Sequence, residues 1–128
     1  MKTVKRRTLS DDAPRTEQQM RGQAGEDAAL AFLQQQGLTL VTRNFRCKAG
    51  EIDLIMALST TLVFVEVRQR ASSRFGGAAA SIGAAKQRRL ILAAQFYLQR
   101  YRAPPACRFD VVTIDGGAIN WITDAISA

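Results

Sequence analysis

The sequence predicts an α/β fold in which a mixed central sheet is flanked by two helices, in the order helix, three strands, helix, two strands. Three observations predict it. Residues 16–36 and 79–101 carry apolar side chains at spacings of three and four, the pattern of helices with one buried face. Residues 38–70 hold three runs rich in β-branched and apolar residues with short polar turns between them, and two more such runs flank Asp115-Gly116-Gly117. With 128 residues and 47% apolar composition, the chain has enough material for one domain with a real core.

In chain order, residues 1–15 are polar and charged around Pro14 and read as a flexible basic tail, leaving 16–128 as a single domain. The first helix, 16–36, ends at Gly37 as a C-terminal cap. Its apolar stripe carries Leu30 and Leu33 with Glu26 at the top, and Ala28, Ala29 and Phe32 flank it. Leu38 to Arg46 reads as the first strand, and Lys48-Ala49-Gly50 turns into a hairpin of strands 51–58 and 62–70 about Ser59-Thr60. Three strands without an intervening helix make an antiparallel meander. Residues 71–77 form a turn-rich loop holding Arg74 and Phe75. The second helix, 79–101, has Ile82, Leu90, Ala94, Tyr97 and Tyr101 on one stripe, interrupted by Lys86, and stops at Pro104-Pro105. Strands 108–114 and 118–124 close the chain as a hairpin, with Trp121 packing and Asp110 paired to Arg108 on a shared face.

Composition narrows the chemistry. The chain has no histidine, which excludes Ser-His and Cys-His nucleophiles and histidine metal sites and leaves carboxylate-based metal chemistry, suited to Mg²⁺ or Mn²⁺. Cys47 and Cys107 form neither a CxxC pair nor a framework, so two reduced thiols in a cytoplasmic protein are expected. No apolar run approaches the roughly 20 residues that span a bilayer, so no membrane partner is expected. The net charge is +7, and residues 66–102 hold eight basic side chains against one acid. A polyanion, most simply nucleic acid, fits that segment; a merely solvated basic face fits it too.

Two acids stand out inside the hairpin. Asp53 lies between Ile52 and Leu54, and Glu66 between Val65 and Val67, in strands apolar enough to be buried. A buried carboxylate pairs, binds a metal or shifts its pKa. A hairpin symmetric about Ser59-Thr60 sets Asp53 opposite Glu66 and Glu51 opposite Arg68. Alternation places Phe64, Glu66, Arg68 and Arg70 on one face and Val63, Val65 and Val67 on the other. A metal beside a phosphate accounts for this arrangement, and an ion-pair cluster of Asp53, Glu66 and Arg68 in an ordinary sheet accounts for it equally well.

Acids on the first helix, second strand and third strand resemble the core of the PD-(D/E)xK, or restriction-endonuclease-like, superfamily. Asp53 matches its Asp, and Glu66-Val67-Arg68 stands where (D/E)-x-K is found. Within it, the chain resembles the bacterial YraN family through Gly25-Glu26, Arg43-Asn44, GEIDLI at 50–55, VFVEVRQR at 63–70, FGGAAAS at 75–81, Lys86 and RFDVV at 108–112. The resemblance implies a nuclease-like core acting on nucleic acid, in the manner of archaeal Holliday-junction resolvases. Asp53, Glu66 and Glu26 would then be metal ligands, Arg70, Arg74 and Lys86 would bind the nucleic-acid backbone, and Arg68 would complete the catalytic set. Resolvase-like members of the fold act as dimers on two-fold substrates, so a homodimer is an expected partner state. Arg68 in place of lysine departs from the pattern: a guanidinium does not give up its proton, so it serves as a phosphate clamp and not as a base. Two functions follow as expectations, a Mg²⁺-dependent endonuclease acting on branched or flapped DNA, and a non-catalytic nucleic-acid-binding module on the same fold.

Overall fold

The computed structural model describes residues 16–70 and 82–127. The elements are α1 (Glu17–Gln35), β1 (Thr39–Cys47), β2 (Gly50–Leu58), β3 (Thr61–Arg70), α2 (Ala84–Leu98), β4 (Cys107–Asp115) and β5 (Ala118–Ile126). The five strands form one sheet in the order β1-β2-β3-β4-β5. All neighbours are antiparallel except β3 and β4, which run parallel because α2 carries the chain back across one face between them. The element order, the meander and the mixed sheet follow the sequence expectation. The tail at 1–15, the loop with Arg74 and Phe75, and the side chain of Arg70 lie outside the described residues. Among the described residues, no helix is long and apolar enough to cross a membrane.

Each helix covers one sheet face. On the α1 side, Ala29, Leu33 and Leu38 pack on Leu54, Met56, Val63, Val65 and Val112. On the α2 side, Leu90, Ala93, Ala94 and Tyr97 pack on Ile52, Ile55, Phe64, Phe109 and Val111. β3 alternates as expected, with Val63, Val65 and Val67 toward α1 and Phe64 toward α2.

Helix α1 ends as its glycine dictates. Gly37 adopts φ +99°, and the Leu38 and Gly37 amides donate to the Leu33 and Gln34 carbonyls at 3.1 Å each. This double bond pattern satisfies the last carbonyls while Leu38 folds onto Leu33. The buried stripe differs from the expected one: it runs Gly25-Ala29-Leu33, with Glu26 and Leu30 at its half-buried edge. Gly25 is the reason. A Cβ there would stand 2.5 Å from Gln69 Oε1 and 3.7 Å from Ile114 Cδ1, so glycine lets this turn of α1 approach the sheet closely without moving the Gln69 side chain.

Helix α2 is shorter than the periodicity predicts. Ile82 is buried but precedes the helix, and Gly83 is its N-cap in an extended conformation. At the other end the helix stops at Leu98, six positions before Pro104, where the Gln99 amide turns back to the Phe96 and Tyr97 carbonyls and Arg100 Nε donates to the Tyr97 carbonyl at 3.0 Å. The β4–β5 turn is built on Gly116 and Gly117, both at positive φ, the requirement of a tight two-residue hairpin. Asp110 is the expected structural ion pair: it is fully buried, and Arg108 Nε donates to it at 2.9 Å. Trp121 Nε1 and the Asp124 amide also donate to its carboxylate, each at 2.9 Å.

Candidate functional site

The site forms where β2 and β3 part. Their backbone pairing runs from Leu58↔Thr61 to Leu54↔Val65, in the register expected from a symmetric Ser59-Thr60 turn, and then stops. One step further the strands fork, with Asp53 on one branch and Glu66 on the other. The Val67 amide, which would have continued the ladder, donates to Asp53 Oδ2 at 2.9 Å instead. The expected opposition of Glu51 and Arg68 is lost to the same fork. Glu51 pairs with Arg46 across the β1–β2 ladder, Oε1 to Nε at 3.2 Å, and Arg68 Nη1 lies 3.7 Å from Glu66 Oε2.

A kink in β1 explains how acids from both sheet faces meet here. Arg43 pairs with Leu54 and Phe45 with Ile52, which leaves Asn44 opposite Asp53. Leu54 packs on the α1 side, yet Ile52 and Phe45 pack on the α2 side, so alternation slips by one in both strands at this position. Asn44 takes a left-handed φ of +56°, a conformation asparagine tolerates better than most residues. Asp53, at the slip, is therefore within electrostatic reach of Glu26 on α1 as well as of Glu66 and Lys86 on the α2 side.

Electrostatics at the fork are strained. Glu66 is 4% exposed, and burial first, then the charge of Asp53, push its carboxyl up to about 7. Lys86 Nζ, 3.5 Å from Glu66 Oε2, and Arg68 oppose that shift only in part. Asp53 is also raised, chiefly by burial, and the Val67 amide and a hydrogen bond with Glu66 hold it down. The two carboxyls therefore resist being ionised together, and burial makes Glu66 the harder to ionise. Glu66 Oε1 and Glu26 Oε1 are buried without a hydrogen-bond partner. Glu26 is raised by burial and by Asp53, while Arg43 Nη2 lies 3.5 Å from its Oε1 and 2.8 Å from Asp27 Oδ1.

Of the residues singled out from sequence, Asp53, Glu66, Arg68 and Lys86 come together, and Glu26 stands behind Asp53. The expected three-acid cage is not closed: among the described residues no group of three or more His, Cys, Asp or Glu side chains is placed to hold a metal. Glu26 is engaged instead by Arg43, which also binds Asp27. The donors that do meet, two carboxylates with an unpartnered oxygen on Glu66, are hard oxygen ligands of the kind Mg²⁺ and Mn²⁺ take. Arg43 and Asn44 were not expected among the site residues. An asparagine inside an otherwise β-branched and apolar strand is the signal that marks them.

A cavity of about 370 Å³ adjoins the fork, between the β1–β2 turn and α2, and shares Lys86 with it.

The profile of the uncharacterised protein family UPF0102 matches residues 25–114, a span that contains Glu26, Asp53, Glu66, Arg68 and Lys86. A UPF0102 protein of Janthinobacterium sp. (strain Marseille) is 64% identical over 115 residues, covering 90% of this chain and 94% of the relative. The UPF0102 protein HEAR0176 of Herminiimonas arsenicoxydans is 61% identical over 115 residues, with 90% and 93% covered. A UPF0102 protein of Acidovorax sp. (strain JS42) is 52% identical over 124 residues, with 94% of each chain covered. With a profile matched from the middle of α1 through four of the five strands, and relatives matched along nearly their whole length, this chain belongs to the UPF0102 family.

Proposed function

We propose that this chain is a metal-dependent nuclease acting on DNA in the cytoplasm, with branched or flapped DNA as its substrate and a restriction-endonuclease-like core of the PD-(D/E)xK kind. One observation carries the reading: the buried Glu66 and the half-buried Asp53 lie side by side at a strand fork, with Glu66 Oε1 lacking a hydrogen-bond partner and two cations, Arg68 and Lys86, on the other oxygen's side. Unsatisfied buried carboxylates are costly, and a site that retains them beside cations has the composition needed for a phosphate ester.

Asp53 and Glu66 would hold Mg²⁺ or Mn²⁺, with Glu26 in reserve on α1. When bound, such an ion polarises a phosphate and acidifies a water. The chain's own residues do the rest. The Val67 amide fixes the rotamer of Asp53, Asn44 kinks the sheet so that this side chain reaches the fork, and Arg43 restrains Glu26. Arg68 and Lys86 place positive charge where a phosphate gains negative charge. Arg68 does so without giving up a proton.

The substitution of arginine for the lysine of (D/E)-x-K favours a second reading, a binding module that keeps the acids without turnover. Cleavage of end-labelled four-way junctions, flaps, single strands and RNA with Mg²⁺ or Mn²⁺, with wild type run beside Glu66→Ala, decides between them. Cleavage lost in the variant supports the nuclease. Salt-dependent binding by both proteins with cleavage by neither supports the module and refutes the nuclease.

A further inference from the structure

The cavity beside the fork has the makings of a phosphate-binding pocket of its own. Its polar side is lined by Arg46, Glu51, Lys86 and Arg89, and its apolar side by Cys47 and Leu90. Gly50 forms part of the wall because the chain passes so near α2 there: a Cβ on Gly50 would stand 3.3 Å from Arg89 Cβ. At about 370 Å³ it lies at the small end of ligand cavities, large enough for a phosphate with its sugar. Three cations face one carboxylate, and their commitments differ. Arg46 is paired with Glu51 at 3.2 Å and Lys86 with Glu66 at 3.5 Å, whereas Arg89 makes no ion pair among the described residues.

We propose that this cavity is a nucleotide subsite in which Arg89, with Arg46 and Lys86, holds a phosphate of a nucleic-acid strand next to the one at Asp53 and Glu66. The proposal rests on the nucleic-acid reading above and adds where the strand runs: from the fork, past Lys86, across the first turn of α2 to the β1–β2 turn. Lys86 belongs to both places, its ammonium on Glu66 and its stem in the cavity wall. Glu51 opposes the phosphate, so the subsite binds more tightly without its charge. The phosphate is either internal to the strand or a 5′-terminal phosphomonoester.

The test is fluorescence anisotropy with a short DNA strand labelled at its 3′ end, 5′-phosphorylated or 5′-hydroxyl, with Ca²⁺ to prevent turnover. Wild type is compared with Arg89→Ala, Glu51→Gln and, as a control on a distant exposed cation, Arg102→Ala. Arg89→Ala is expected to weaken binding about tenfold, the worth of a charge-assisted hydrogen bond, and to lower the salt slope by about one. Glu51→Gln is expected to tighten binding roughly two- to fivefold, and Arg102→Ala to leave it unchanged. A preference of wild type for the 5′-phosphorylated strand that Arg89→Ala abolishes identifies a terminal phosphate, and equal binding of both strands identifies an internal one. The proposal is overturned if Arg89→Ala and Arg102→Ala behave alike, or if wild type binds neither strand. Absence of Mg²⁺-dependent cleavage with the expected binding pattern refutes the nuclease and leaves the subsite. Cleavage with an inert Arg89→Ala does the reverse.

Discussion

Glu66→Gln removes the charge at the fork while keeping the shape of the side chain, and it isolates what the carboxylate costs the fold. In the folded state burial and Asp53 raise the Glu66 carboxyl from 4.5 to about 7. A carboxyl raised on folding favours the protonated form, so its contribution to stability is fully present below pH 4.5 and is lost as pH rises through about 7. At 1.36 kcal/mol for each tenfold change in proton affinity, the loss approaches about 3 kcal/mol at pH 9. Because Asp53 and Glu66 do not ionise independently, the value belongs to the pair. Gln carries no such penalty. The melting temperatures of the two proteins, followed by circular dichroism in EDTA, are expected to coincide below pH 4.5, to separate as pH rises from 4.5 to about 7, and to run parallel above that. By pH 9 the variant should be higher by roughly 10 °C for a chain of this length. Mg²⁺ is then expected to raise the wild type and leave the variant unmoved, since an ion that binds only the folded carboxylates stabilises by mass action. A separation that does not depend on pH, or a variant less stable than wild type at pH 9, refutes this account of the fork.

Asp53→Ala has the opposite sign despite relieving the same repulsion. It strips the Val67 amide of its acceptor, and a loss of about 1–3 kcal/mol in urea unfolding is expected. Asp110→Ala is expected to be the most damaging single change, about 3–5 kcal/mol by the same assay, because it orphans the Arg108 guanidinium in addition to the Trp121 and Asp124 donors. Asn44→Gly is expected to leave stability within about 0.5 kcal/mol and Asn44→Val to cost about 1–2 kcal/mol, since the left-handed φ of +56° suits glycine and not a β-branched residue. At Gly25 the atom nearest an added Cβ is the amide oxygen of Gln69, an exposed side chain free to swing away. Gly25→Ala is therefore expected to melt within a few degrees of wild type, whereas Gly25→Leu, too large for that adjustment, displaces α1 and lowers the melting temperature by more than about 5 °C.

Much of the fold was legible because local patterns and global packing agree. The Ser59-Thr60 turn determined the β2–β3 register through five pairs, and Gly37 marked the end of α1. What was not legible depended on contacts far apart in sequence. Periodicity ran α2 back past Gly83 because Ile82 is buried, but it is buried ahead of the helix. The α1 stripe was set one position away from where it lies because leucine outweighs glycine in any hydrophobic pattern, while Gly25 makes the closest approach. At the site, Asp53 and Glu66 declared themselves as acids in apolar strands. The break in pairing after Leu54↔Val65, the kink at Asn44 and the diversion of Glu26 to Arg43 are tertiary facts, and no run of residues encodes them. The cavity joins Arg46 to Arg89 across a turn and a helix, so composition registered its charge without its shape.

The contrast between the chain's buried acids separates structure from chemistry better than burial alone. Asp110 and Glu66 lie on neighbouring parallel strands, 0% and 4% exposed. Asp110 is bound by a guanidinium, an indole and a backbone amide, so nothing of its carboxylate is left for a ligand. Glu66 has one oxygen shared by two longer ion pairs, to Arg68 and Lys86, and another with no hydrogen-bond partner. A sheet selected for stability alone would treat the second acid as it treats the first, or replace it with valine. Retaining an unsatisfied carboxylate at about 3 kcal/mol is what the proposed site would account for: an ion would complete its coordination, and the two cations alongside would meet the phosphate that comes with it.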